Sequence, residues 1–181
     1  MSTAPTGPRI GHLVLTVRDI AASHAFYTEI LGFEQCGQFK NEMVPDVDMR
    51  FYRGSKDSHH DFALVQSPDP SAQPPVEQFD LFGNRVGVNH IAISYPSREA
   101  WLAKLREIQE KRVRVILRGN HGMTHSCYIQ DPDGNGIEVL YDLPSEVWEG
   151  DVDAALSHFE FVPDESFLDD DTDYKVFGSR T

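Results

Sequence analysis

Positive charge is scarce in this chain. Only 16 Lys and Arg residues stand against 29 Asp and Glu, a formal net charge of −13. No basic stripe is present to neutralise phosphates, which excludes nucleic acid as a partner. Cysteine is nearly absent. Cys36 and Cys127 fall on separate strand-like runs without metal-ligand spacing, the pattern of two free thiols in a reducing compartment. No apolar run approaches the length of a membrane span. No charged-then-apolar leader opens the chain, so a cytoplasmic location off the membrane is expected. The acid that is present is unevenly spread. From Asp142 onward there are 12 acidic and 2 basic residues, a balance of −10, against 17 and 14 before it, a balance of −3. The expected organisation is a nearly balanced domain followed by an acidic C-terminal extension over residues 143–181: its charge suits a solvated appendage, while Phe167, Leu168, Tyr174, Val176 and Phe177 suit a segment lying against the domain or a neighbouring subunit.

The domain reads as one unit written twice. Gly11-His12-Leu13-Val14-Leu15-Thr16-Val17 and Val88-Asn89-His90-Ile91-Ala92-Ile93-Ser94 share a pattern: a small or polar residue, a histidine, then an alternating β-branched run. Each leads into an amphipathic helix, over residues 19–31 and 97–111. Three strand-like runs follow each helix: 33–39, 47–53 and 60–66, then 113–118, 126–130 and 137–141. Internal repetition of this kind sets the fold. The expected class is α+β, with two tandem βαβββ units forming a curved mixed sheet, an open barrel or cup. Residues 1–8 are a flexible lead, 9–66 the first unit, 67–86 a linker long enough to cover a site, and 87–142 the second unit. Alternation puts Arg112, Arg114 and Arg118 together on a solvent-facing strand face. A helix is expected within residues 146–159.

Candidate site residues come from the histidines and one glutamate. Glu138 lies in the middle of a strand that is apolar on both faces, where a carboxylate must be paired, hydrogen-bonded or bound to metal. A lone buried histidine is more often a satisfied core residue than a ligand. His12 and His90, however, occupy equivalent places in a repeat, and a pseudo-twofold arrangement brings them to one concavity with Glu138. Two imidazoles and one carboxylate form the facial set of non-haem Fe(II) oxygen chemistry. Alternation sets His60 on the face of Phe62 and Leu64, near the place that Glu138 holds in the second unit, with His59 pointing the other way. His121 and His125 bracket Gly122-Met123-Thr124 in the loop before the Tyr128 strand, a loop expected to overhang the concavity.

These residues resemble the vicinal-oxygen-chelate (glyoxalase/bleomycin resistance/dioxygenase) superfamily. Within it, they resemble the type I extradiol catechol dioxygenases in a short, single-domain form. The signature segment is Gly119-x-His121, five residues, Cys127-Tyr128, two residues, Asp131-Pro132-x-Gly134, three residues, Glu138. It departs from the family at Cys127, where a larger apolar residue is usual. The resemblance implies His12, His90 and Glu138 as ligands of Fe(II), with Mn(II) suited to the same set. It implies His60 as an acid–base group, and His121 and Tyr128 as hydrogen-bonding partners of the substrate oxygens. The implied substrates are a catechol and O2, and a homo-oligomer is expected. The alternatives are a non-redox metal-dependent isomerase, lyase or transferase of the same superfamily, and a metal-free small-molecule-binding module. In glyoxalase I a carboxylate stands on the last strand of the first repeat, where this chain offers His60.

Overall fold

The computed structural model describes residues 7–83, 86–170 and 172–178. The chain divides into two compact units, residues 1–75 and 76–181, so the expected linker is shared between them. The fold is α+β, and its strands fall into two separate sheets of mixed direction, neither closed on itself.

In the first unit, β1 (Leu13–Val17) runs into α1 (Ile20–Ala25), which continues as a π-helical turn over Phe26–Ile30. Asp19 caps α1 by accepting the amides of Ala21 and Ala22, satisfying donors that a helix start otherwise leaves unpaired. Gly32 ends it at φ 85°, a left-handed conformation that glycine adopts without penalty. The strands β2 (Glu34–Gln38), β3 (Met49–Arg53) and β4 (Phe62–Gln66) complete a sheet of order β1-β4-β3-β2. Only the β1–β4 pair is parallel, with Leu13 opposite Phe62. Tyr27, Leu31, Tyr52, Phe62 and Leu64 are buried, and the Tyr52 and Phe62 rings stack at 4.9 Å.

The second unit repeats the plan. It contains β5 (His90–Ser94), α2 (Arg98–Glu110), β6 (Val115–Asn120), β7 (Thr124–Gln130) and β8 (Gly136–Asp142). The parallel pair is now β5–β8, with His90 opposite Gly136. Ser97 caps α2 through the Ala100 amide. Trp101, Leu105 and Ile108 bury the inner face of α2, and the Trp101 indole N–H donates to the Val139 carbonyl at 2.9 Å, fixing helix to sheet. The turn before β8 is built by Asp131, whose Oδ1 accepts the Asp133 and Asn135 amides at 2.9 and 2.8 Å. Gly134 supplies the φ of 89° that this turn requires.

Of the two readings of the C-terminal extension, the structure shows the one that lays it against the domain rather than the solvated appendage. The anticipated helix is two short ones, α3 (Ser145–Trp148) and α4 (Val152–Leu156), separated around Gly150. The chain then adds β9 (Glu160–Val162) to the free edge of β6, giving the order β5-β8-β7-β6-β9. Asp170 buries its carboxylate to 1% exposure. It accepts from Arg98 Nε at 2.7 Å, Arg118 Nη2 at 3.3 Å and the Tyr141 hydroxyl at 2.7 Å, and its Oδ1 lies 2.7 Å from His125 Nδ1. Arg118 is therefore not solvent-facing. The register of β6 slips between Val115 and Leu117, which breaks the alternation that grouped it with Arg112 and Arg114. Its guanidinium donates to the carbonyls of Ser166, Phe167 and Asp169.

Candidate metal centre and active site

Strand register gathers the second unit's site residues. Tyr128 on β7 is directly opposite Glu138 on β8, and Glu138 is directly opposite Ala92 on β5. Side chains two residues apart share a face, so His90 lies on the face of Ala92, with Glu138 and Tyr128. Glu138 is 6% exposed, and each carboxylate oxygen has a neighbour. Oε1 accepts from the Tyr128 hydroxyl at 2.8 Å. Oε2 lies 3.0 Å from His90 Nε2. The strand carboxylate is thus paired with a histidine and a tyrosine rather than an arginine.

His121, in the loop between β6 and β7, places Nε2 at 2.9 Å from the Tyr128 hydroxyl and 3.7 Å from Glu138 Oε1. With Tyr128 O–H donating to the carboxylate, His121 Nε2–H donates to the phenol oxygen. Burial pushes the Tyr128 phenol pKa up, and the adjacent Glu138 charge raises it further, so the phenol keeps its proton. Burial holds the His121 pKa below the usual imidazole value, outweighing Glu138, so the ring is neutral at pH 7.

The His90 ring is oriented from behind. Its Nδ1 lies 2.7 Å from Asn89 Oδ1, and Asn89 Nδ2 donates to the Leu81 carbonyl at 3.1 Å. An amide oxygen only accepts, so Nδ1 carries the proton and Nε2 presents its lone pair to Glu138. Two lone-pair-bearing atoms 3.0 Å apart need a cation between or beside them, either a second proton on the imidazole or a metal. Donors each about 2.1 Å from an ion and at right angles to one another lie about 3.0 Å apart. The pair therefore fits two adjacent positions on a divalent cation. Among the described residues no group of three or more His, Cys, Asp or Glu is gathered to hold a metal; the structure brings together the His90–Glu138 pair.

His12 and His60 belong to the first unit. His12 immediately precedes β1, and its ring centroid is 4.6 Å from that of His60. His60 lies before β4, which begins at Phe62, so strand alternation does not reach it. The parallel register sets Val14 opposite Ala63, as Ala92 is set opposite Glu138. Ala63, not His60, takes the place of Glu138 in the first unit. His59 does not point away: the two Nδ1 atoms of His59 and His60 are 2.6 Å apart. The slight burial of the His60 ring, followed by its His59 and His12 neighbours, lowers its pKa from the usual value.

Three further residues shape the surroundings of the site. Asn89 orients His90; its signal was an amide side chain adjacent to a ligand candidate. Phe79 stacks on Tyr128 at 6.5 Å and closes over Gly136, where a Cβ would meet its ring at 2.3 Å. Phe159 packs edge-on against His121 at 4.8 Å. Phe79 lies in the 67–86 linker that was expected to cover a site, whereas nothing local in the sequence marks Phe159.

The family model described as Glyoxalase/Bleomycin resistance protein/Dioxygenase superfamily matches residues 9–139. Similar curated proteins include the catechol-2,3-dioxygenase of Bacillus subtilis, 28% identical over 83% of this chain and 47% of that protein. Another is biphenyl-2,3-diol 1,2-dioxygenase 3 of Rhodococcus globerulus, 26% identical over 75% and 64%. The lactoylglutathione lyase of Pseudomonas putida is 26% identical over 74% and 84%. The chain thus spans about half of the first relative's length and under two thirds of the second's. Among solved structures, a glyoxylase/bleomycin resistance protein/dioxygenase domain from Frankia aligns at TM-score 0.58 and 16% identity, over 76% of this chain and all of that one. The fosfomycin resistance protein of Listeria monocytogenes in complex with Mn(II) aligns at 0.52 and 17%, over 79% and 98%. These two likenesses bear on the fold.

Proposed function

Because the chain belongs to the Glyoxalase/Bleomycin resistance protein/Dioxygenase superfamily, we propose that it is an extradiol ring-cleaving dioxygenase acting on a catechol-type aromatic with O2. The observation that carries this reading is the His90–Glu138 pair, with its bare imidazole nitrogen, its backing Asn89 and a protonated Tyr128 on the same carboxylate. His12, His90 and Glu138 are the proposed ligands, with Fe(II) as the metal and Mn(II) suited to the same donors. A divalent cation held by these residues would lower the pKa of the hydroxyls of a bound diol. Tyr128 and His121 hold substrate oxygens through hydrogen bonds. A neutral His121 is able to donate its Nε2–H to a substrate oxygen once Tyr128 turns toward substrate. His60 is the proposed acid–base group.

The names of two relatives, a catechol and a biphenyl-diol dioxygenase, support this activity. A second reading, a non-redox metal-dependent isomerase or lyase, is favoured by the lactoylglutathione lyase match, of which the chain spans 84%. Ala63 weighs against it. At the first unit's counterpart of Glu138 it has no donor, whereas glyoxalase I offers a carboxylate on that strand.

Protein loaded anaerobically with Fe(II) is expected to consume O2 with a catechol and form a yellow ring-opened product. Bound iron without O2 uptake across a broad catechol panel sinks the proposal. His60→Ala is expected to retain metal and lose turnover; metal loss in that variant makes His60 a ligand instead.

A further inference from the structure

We propose that Gln130, on β7, is a positioning residue for the metal centre: it fixes a strap formed by residues 77–81, and the strap fixes the tautomer of His90. The inference rests on the reading of His90 and Glu138 as metal ligands. Gln130 and His90 both lie opposite Gly136, on its two sides. Their side chains therefore share a sheet face and flank a glycine across two strand spacings, roughly 10 Å. The strap bridges that gap. Gln130 grips one end of it with both halves of its amide. Its Oε1 accepts the Phe79 N–H at 2.8 Å, and its Nε2 donates to the Glu77 carbonyl at 2.9 Å. These are the two groups that a residue of an adjacent parallel strand would engage. Mid-strap, the Phe79 ring fills the space over Gly136 and stacks on Tyr128. At the far end, the Leu81 carbonyl accepts from Asn89 Nδ2 at 3.1 Å.

The Leu81 carbonyl matters because a side-chain amide can turn over. One end of the Asn89 amide accepts and the other donates, and the two have nearly the same shape. As it stands, Asn89 accepts from His90 Nδ1–H, and Nε2 is left bare. Turned over, it would donate to a bare Nδ1. The proton would then sit on Nε2, where Glu138 Oε2 at 3.0 Å accepts it. That second arrangement is neutral and fully hydrogen-bonded, but its proton occupies the lone pair that a metal needs. It competes directly with the metal-ready one. A carbonyl only accepts, so Leu81 favours Nδ2–H and opposes Oδ1. The strap therefore selects the metal-ready tautomer. Gln130 holds the strap from one side, and a tight turn holds it from the other. In that turn Asp80 Oδ1 accepts the Phe82 amide at 3.0 Å, and the Asp80 carbonyl accepts the Gly83 amide at 3.2 Å.

Nitrogen-15 spectra of histidine-labelled, metal-free protein at about pH 9, above the ordinary imidazole range, read the His90 tautomer directly. Wild type is expected to carry the proton on Nδ1. Gln130→Leu keeps the shape and removes the amide, and it is expected to move the proton toward Nε2. Asp80→Ala, an exposed turn residue, is expected to act in the same direction and decides the question if Gln130→Leu fails to fold. Affinity for Mn(II), by competition with a chromogenic chelator, is expected to fall at least about fivefold in Gln130→Leu. In an Asn89→Asp background the same change is expected to cost under about twofold, because a carboxylate only accepts and has no donor end to turn inward. A wild-type ring protonated on Nε2 overturns the proposal. So does a folded Gln130→Leu protein that melts lower yet keeps the wild-type tautomer and Mn(II) affinity, since Gln130 is then a structural anchor alone. Equal loss in both backgrounds overturns it as well. A tautomer that depends on the strap, in a protein that takes up no O2 with any catechol, supports this inference and refutes the dioxygenase reading. O2 uptake with a tautomer indifferent to Gln130 and Asp80 does the reverse.

Discussion

At the scale of single residues, the site depends on how one imidazole is turned. His90 meets Glu138 through Nε2 because Asn89 occupies Nδ1. Neighbours that fix a ligating histidine's tautomer are worth about 10–100-fold in metal affinity. Asn89→Ala is therefore expected to weaken metal binding by about that factor, with Asn89→Asp restoring much of it; competition with a chromogenic chelator measures both. Gly136 is equally specific. Opposite His90, it has no side chain, and the Phe79 ring fills the space. Gly136→Ala forces that ring off Tyr128, because the Phe79 amide is tied to Gln130 Oε1 at 2.8 Å. Overpacking of this kind costs about 1–3 kcal/mol, to be read from chemical denaturation. The cysteines differ just as sharply. Burial pushes the Cys127 thiol up to about 12, while Cys36 is partly exposed. A thiol reagent at pH 8 is expected to label Cys36 in the native protein and both cysteines after unfolding.

At the scale of elements, β8 and its turn were legible because their signals are local. Asp131, Pro132 and Gly134 announce the turn, and an apolar run broken only by Glu138 announces a buried strand. The repeat of strand, helix and three strands was legible for the same reason. What could not be read was the anchoring of the C-terminal extension, because its contacts span 29 to 72 residues of sequence. Asp170 sits in a run of three aspartates with nothing to distinguish it. Arg118 was misplaced by a register slip that alternation does not predict. The consequence is a pH dependence. Burial would raise the Asp170 pKa, but hydrogen bonds from His125 and Tyr141, followed by Arg98, outweigh it and hold it below the usual carboxylate value. Arg98 faces it from α2, Arg118 from β6, His125 from β7 and Tyr141 from β8. A depressed carboxylate pKa contributes stability above the unfolded-state value, about 3.9, and loses it as pH falls through the folded value. Wild type is thus expected to lose melting temperature steeply below about pH 4, and Asp170→Asn to show a lower melt with a flatter acid limb.

At the scale of the whole molecule, the chain's acidity and its architecture meet in the last forty residues. Composition alone makes them a solvated appendage, since they carry most of the net charge. Folding assigns them a structural task instead: one edge strand, one buried carboxylate, and Phe177, whose ring lies where a Cβ on Gly122 would have to go. A chain ending at Pro144 removes all three at once. It leaves Arg98, Arg118 and His125 without the Asp170 carboxylate, and it exposes the backbone edge of β6. Stripping the partner from a buried charge costs about 3–5 kcal/mol, and a bare strand edge invites pairing with another chain. The truncated protein is therefore expected to melt well below the full chain and to aggregate, by calorimetry and light scattering. A truncation that melts like the full chain would return the extension to the role of a solvated tail.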